Sequence, residues 1–237
     1  MTIPLSRRAA AVFFPERCLC CHEPVPAGAG CCEKCAASLP RIEGDVCPFC
    51  GRGKGRCSCG HRRRHFDGCV SCFYYEAGME RGILAFKKEG SAVTASYLAA
   101  EMAAAVRLRT AGLRFALIAY VPMTARDRRA RGFNQARLIA KALSGELLLP
   151  MGDILVKIQE TAPQKKLTAI QRSGNMLGVF DLAEGAVVKN KRILLVDDII
   201  TTGATLDECA KMLKIYGAES VVAATVAATV LEERDMG

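Results

Sequence analysis

Apolar positions along the chain follow two alternating rhythms. Short runs of consecutive apolar or β-branched residues recur at 69–75, 115–121, 154–158, 180–182, 193–196 and 220–229. Such runs predict strands, and the uninterrupted ones suit a parallel sheet buried on both faces. Between them, apolar residues return every three or four positions, over 79–88, over the alanine-rich 92–107, and over 133–146, where Leu138, Ile139 and Ala142 share a face. Leu206, Cys209, Ala210 and Leu213 repeat the same spacing, and Gly217 stands where that helix should stop. Strands alternating with helices predict an α/β fold: an open, mostly parallel sheet with helices on both faces.

One stretch combines this pattern with chemistry. The apolar run Ile193 to Val196 leads into Asp197 and Asp198, where the strand should end; Thr201, Thr202, Gly203, Ala204 and Thr205 then lead into a helix. Backbone N–H groups at such a helix start would meet a phosphate at the positive end of the helix dipole. Gly203 permits positive φ and close approach, and the threonine hydroxyls add hydrogen bonds. Asp197 and Asp198 can accept hydrogen bonds from a ribose diol or hold Mg²⁺ through water. An ordinary strand–turn–helix with a capping threonine is the competing reading. It gives no reason for two adjacent aspartates at the end of a buried strand. A P-loop is excluded, since the chain has no GxxxxGK[ST]. Four apolar residues, two acids, two apolar residues and Thr-Thr-Gly-x-Thr resemble the phosphoribosyl-pyrophosphate (PRPP) motif of type I phosphoribosyltransferases.

Composition narrows the setting. The 237 residues allow one full domain and one small one, and 51% hydrophobic content is ample for a core. A net charge of +9 favours anionic partners, namely phosphates, nucleic acid or anionic lipid. Of 13 cysteines, twelve precede residue 73, in close pairs that favour metal binding over a secreted disulfide scaffold. Residues 1–14 carry Arg7 and Arg8 but only a six-residue apolar run, which does not make a signal peptide. No uncharged apolar run approaches membrane-spanning length. The expectation is a cytoplasmic protein with a cysteine-rich zinc-binding module at 1–65 and an α/β domain at 66–237.

In that head, Cys18, Cys21, Cys32 and Cys35 form two C-x2-C turns that can close a tetrahedron around one zinc, with Cys20 and Cys31 as spares. Cys47, Cys50, Cys57 and Cys59 form a second, less regular set, in which His61 is an alternative to one thiolate. The segment has too few large apolar residues to fold unaided, which argues for metal. Cys69 and Cys72 sit in an apolar run and read as buried free thiols. Arg62, Arg63 and Arg64 read as a solvated linker or as a contact to nucleic-acid phosphate.

In the body, a basic loop follows the strand ending at Val121 and Pro122. It carries Arg126, Arg128, Arg129 and Arg131, whose guanidinium groups suit pyrophosphate or a plain exposed turn. Residues 159–175 are polar and long for a connection, which suggests a lid.

Taken in order, the cysteine pairs, Leu84-Ala-Phe-Lys87, Arg131-Gly-Phe-Asn-Gln135, Thr161-Ala-Pro-Gln164, Arg172-Ser-Gly-Asn175 and the PRPP motif resemble the ComF family of competence-associated phosphoribosyltransferase-like proteins. Lys157 departs from the family's usual arginine. The resemblance implies a type I phosphoribosyltransferase-like fold with a zinc module, structural Zn²⁺ at one or two sites, and PRPP bound with Mg²⁺. Asp197 and Asp198 become the candidate catalytic pair; residues 201–205 with Lys87, Arg126, Arg131 and Arg172 become the PRPP-binding set. It also implies a part in DNA uptake or related DNA metabolism, with single-stranded DNA and competence or DNA-processing proteins as partners. Whether the protein is a phosphoribosyltransferase enzyme, a DNA-binding adaptor or a PRPP-sensing regulator stays open, as does any acceptor.

Overall fold

The computed structural model describes residues 15–57, 59–60, 64–158 and 179–230. Four strands form one parallel sheet: β1 (Gly68–Tyr74), β2 (Leu117–Tyr120), β5 (Arg192–Ile200) and β6 (Ser220–Ala228), in the order β1-β6-β5-β2. Two short strands, β3 (Leu155–Lys157) and β4 (Phe180–Leu182), pair antiparallel with each other in a separate ribbon. The helices are α1 (Glu33–Ala37), α2 (Ala77–Glu89), α3 (Ala92–Arg109), α4 (Ala125–Arg131), α5 (Gln135–Leu147) and α6 (Ala204–Ile215).

Strand alternation divides the core in two. Leu194, Val196, Val222 and Ala224 turn one way, onto Met79, Ile83, Leu98, Met102, Ile139 and Leu143 of α2, α3 and α5. Ile193, Leu195, Val221 and Ala223 turn the other way, onto Leu206, Cys209 and Leu213 of α6. Helices thus cover both faces, as the uninterrupted apolar strands require. The first core also takes in Cys18, Leu19, Cys20, Val25, Cys31 and Leu39 from the cysteine-rich head. A Cβ on Gly82 of α2 would lie 2.6 Å from Leu19 Cγ, so the head sits directly on that helix.

Two expectations need correction. The strand does not end at Val196: β5 runs to Ile200 and contains both aspartates. Its neighbours explain why. The β2 ladder stops at the pair Tyr120–Val196, whereas the β6 ladder continues to Ile200–Ala228. The acid pair therefore overhangs β2 while β6 still supports it. The basic segment after β2 is also not a loop. It is the helix α4, whose N-cap Thr124 accepts a hydrogen bond from the Asp127 amide and whose C-cap is Gly132.

Candidate functional site

All four sheet strands run parallel, so their C-terminal ends share one edge, the usual place for ligands in open α/β sheets. The acid pair, the loop after β5, α4 and the start of α2 all lie along it. Asp198 Oδ2 meets Lys87 Nζ of α2 at 2.9 Å. The Asp198 amide donates to Asp197 Oδ1 at 2.9 Å, and the Ile199 amide to Asp198 Oδ1 at 2.8 Å. Loss of hydration, and then the adjacent Asp198 carboxylate, push Asp197 well above the usual carboxylate range. The pair thus offers one lysine-compensated carboxylate beside one that gives up its proton reluctantly.

Beyond Ile200 the chain bends through Thr201, Thr202 and Gly203 into α6. Gly203 is the N-cap residue at φ +82°, where a Cβ would also lie 3.3 Å from Ile200 Cδ1. Thr201, Thr202, Ala204 and Thr205 are exposed, and the Thr202 hydroxyl accepts from the Ala204 amide at 3.4 Å. The first-turn amides of α6 have no intrahelical carbonyl partners.

The Arg131-Gly-Phe-Asn-Gln135 run ties this edge together. Arg131 Nη1 donates to Gln135 Oε1 at 3.1 Å, and Gln135 Nε2 donates to the Lys87 carbonyl at 3.4 Å. Asn134 caps α5 and donates from Nδ2 to the Val121 carbonyl at 3.0 Å. Phe133 lies against Gly90, just past α2, and 6.5 Å from Phe86. Arg131 is therefore joined through Gln135 to the residue that pairs with Asp198. Arg126 is exposed on α4, and among the described residues no ion pair joins it to the acids or the loop. Arg172, the expected lid over 159–175, and His61, Arg62 and Arg63 lie outside the described residues. Lys157 reaches over the Phe180 ring in the β3–β4 ribbon, 5.7 Å from its centroid.

The cysteines gather as two tetrads: Cys18, Cys21, Cys32 and Cys35, and Cys47, Cys50, Cys57 and Cys59. Sulfur pairs stand 3.9 Å apart for Cys21–Cys32, 3.8 Å for Cys47–Cys59 and 3.4 Å for Cys50–Cys57. A tetrahedral zinc with bonds of about 2.3 Å separates its sulfurs by about 3.8 Å, so both tetrads can hold zinc. These gaps are far beyond a disulfide bond of about 2.05 Å. Burial pushes the Cys18 thiol up, but N–H donors from Cys21, Cys32 and Cys20 outweigh it and bring it down to about 6. Cys47 behaves alike: amides of Cys50 and Phe49 outweigh its burial and hold it low. Cys18 also lies within reach of Cys20 and Cys31 as an alternative triad. Burial pushes Cys20 up to about 12 and Cys31 higher still, and burial likewise pushes the tetrad member Cys35 up to about 12. Cys69 and Cys72 are buried, each pushed up to about 12 by loss of hydration.

One residue was not foreseen from the sequence. Arg52 lies inside the second tetrad's turn, yet its guanidinium reaches the ends of β5 and β6. A charged residue between Gly51 and Gly53 in a cysteine turn is only a faint signal.

Comparison with known proteins agrees with this geometry. The family model described as "Phosphoribosyl transferase domain" matches residues 133–235, which include β5, the acid pair, the threonine loop and α6. The protein thus has a type I phosphoribosyltransferase-like fold. Competence protein F of Haemophilus influenzae is 30% identical over 232 residues, covering 88% of this chain and 95% of its own length. Competence protein ComFC of Bacillus subtilis is 27% identical over 77% of this chain and 77% of its own. DNA utilization protein YhgH of Escherichia coli K12 is 29% identical over 87% of this chain and 94% of its own. The chain belongs to the ComF family.

Proposed function

We propose that the protein binds PRPP with Mg²⁺ at residues 197–205. The observation that carries this reading is the overhang of β5. The aspartate pair projects beyond β2 next to an exposed threonine loop that opens a helix. In this reading the amides of 201–205 take the 5′-phosphate. Asp197 and Asp198 accept from the ribose hydroxyls, and Lys87 offsets their charge. Arg126 and Arg131 lie near the leaving pyrophosphate in this reading, and Arg172 is kept as a PRPP-binding candidate from the family resemblance alone. Two carboxylates, one already engaged by lysine, do not make an all-protein cation cage; they suit Mg²⁺ that arrives with the substrate phosphates and keeps its waters. The ion would supply charge neutralisation on the leaving pyrophosphate. Catalysis, if the protein turns over, is displacement of pyrophosphate at the anomeric carbon, and the residues named position the ribose and stabilise charge.

The cysteine-rich segment 1–65 is proposed as a zinc module carried by the phosphoribosyltransferase-like domain of 66–237. Its two tetrads hold one structural Zn²⁺ each, which supports a reducing, cytoplasmic setting. The names of the relatives support a role in DNA uptake or utilisation. No helix among the described residues is long and apolar enough to cross a membrane.

Titration calorimetry of the zinc-loaded protein with PRPP and Mg²⁺ tests the reading. Saturable binding that disappears in an Asp197→Ala, Asp198→Ala double variant is expected; no binding by the folded protein removes it.

A second reading is a single-stranded DNA adaptor. It is favoured by α4, on which Arg126, Arg128, Arg129 and Arg131 are all exposed. It requires DNA binding that weakens steeply with salt. Retention of DNA binding by the double aspartate variant would separate the two sites.

A further inference from the structure

The second cysteine tetrad lies against the candidate phosphate loop, and one side chain makes the connection. Arg52 stands two residues after Cys50 and is 2% exposed. Its Nε donates to the Thr229 carbonyl at 2.6 Å, and its Nη2 to the Thr201 carbonyl at 2.6 Å, with the Ile200 carbonyl at 3.5 Å. The base of this arm is fixed. Gly51 has φ +73°, and a Cβ there would lie 2.9 Å from Ser71 Oγ and 3.0 Å from its amide nitrogen, so the turn lies flat on β1. The next part of the segment grips the following residues: Arg64 Nη2 donates to the Thr202 carbonyl at 2.6 Å, and the His65 amide to Asp207 Oδ1 at 2.5 Å. The seam between Phe49, Cys59, Arg64 and Thr202 leaves a crevice of only about 20 Å³.

A peptide unit is planar and trans, so its C=O and the following N–H point in opposite directions. With the Thr201 carbonyl held by Arg52, the Thr202 N–H is turned away from the cysteine turn. With the Thr202 carbonyl held by Arg64, the same follows for the Gly203 N–H. These amides belong to the loop proposed above to meet the 5′-phosphate. A buried guanidinium is tolerable here because carbonyls take its donors, and the tetrad beside it would carry about −2 as four thiolates around a divalent ion.

We propose that Arg52 is a positioning residue: it links the second cysteine tetrad to the phosphate loop and sets the direction in which the Thr202 amide points. The proposal rests on the PRPP reading for its functional consequence but not for its structural content. Four full-length, zinc-loaded proteins test it: wild type, Arg52→Met, Arg52→Lys, and Arg41→Met as a control. Arg41 joins the head to α3 through Glu101, and among the described residues no ion pair or side-chain hydrogen bond joins it to residues 199–206. The measurements are zinc content, thermal stability, amide hydrogen exchange over 199–206 without ligand, and PRPP affinity with Mg²⁺.

Arg52→Met is expected to keep its zinc, to exchange faster over 199–206, and to bind PRPP about tenfold to a hundredfold more weakly, the scale of loss for a displaced binding group. Arg52→Lys, with charge but no fork, should recover part of both. Arg41→Met should lose stability with exchange over 199–206 and affinity unchanged. Wild-type exchange and affinity in both Arg52 variants would overturn the proposal, as would losses that match Arg41→Met at equal stability. If wild type binds no PRPP, the PRPP reading fails, and loop exchange alone decides whether Arg52 positions the loop. Should Arg52→Met not fold, Arg52→Lys is judged by the same measurements.

Discussion

Lys87 Nζ and Asp198 Oδ2, 2.9 Å apart, join the end of α2 to the overhanging end of β5. The pair is partly sheltered, with side-chain exposures of 29% and 14%. Removing the lysine leaves the Asp198 carboxylate beside that of Asp197 with less compensation. Lys87→Met is expected to lower unfolding free energy by about 1 kcal/mol, less than for a fully buried pair because solvent screens it. PRPP affinity should fall as well. Urea unfolding and calorimetry check both, and a cycle with Asp198→Asn isolates the coupling.

Gly203→Ala places a Cβ at φ +82°, 3.3 Å from Ile200 Cδ1. The left-handed conformation costs an alanine about 1–2 kcal/mol. The loop should relax toward negative φ and lose its aim, so PRPP binding is expected to fall more than stability does. Equal affinity in the variant would count against residues 201–205 as the phosphate site.

Zinc content distinguishes the two tetrads from the spare thiols. Wild type is expected to carry two zinc ions per chain by elemental analysis, and Cys57→Ser to carry one, since an incomplete tetrad loses most of its affinity. Cys20→Ser should keep both, although Cys20 lies within reach of Cys18. A single zinc in wild type would refute the second site.

Arg41 pairs with Glu101 through its two terminal guanidinium nitrogens, Nη1 and Nη2, at 2.5 and 2.7 Å. The Arg41 hydrogen bonds hold the Glu101 carboxyl below its ordinary value of 4.5, against the opposing effect of its burial. A depressed carboxylate stabilises the fold above its unfolded value and loses that contribution as pH falls through the folded one. Glu101→Gln should therefore weaken the protein near neutral pH by about 1 kcal/mol or less, and the gap to wild type should close below about pH 4.5. Chemical unfolding at pH 7 and pH 4 measures it.

Much of the fold is legible locally. The run Ile193 to Val196 and the spacing of Leu206, Cys209 and Leu213 each specify an element without help from elsewhere. The end of β5 is not, because it depends on β6 continuing alongside after β2 has stopped. The helix α4 was hidden by charge: it has no apolar stripe, and only Thr124 followed by Asp127 three residues later marks its start. At the site, the acids, Gly203 and the threonines announce themselves by type and order. Arg52 does not, since its importance lies in carbonyls some 150 positions away that any sequence could supply.

Leu19 and its neighbours in the head fill the same apolar interior as Met79 and Ile83 of α2. Deletion genetics would therefore mislead here. Excising the first 65 residues would strip a lid from a greasy cleft, and the remnant would be expected to clump whatever its catalytic competence. Separating metal binding from ligand binding calls for point substitutions, one thiol or one arginine at a time.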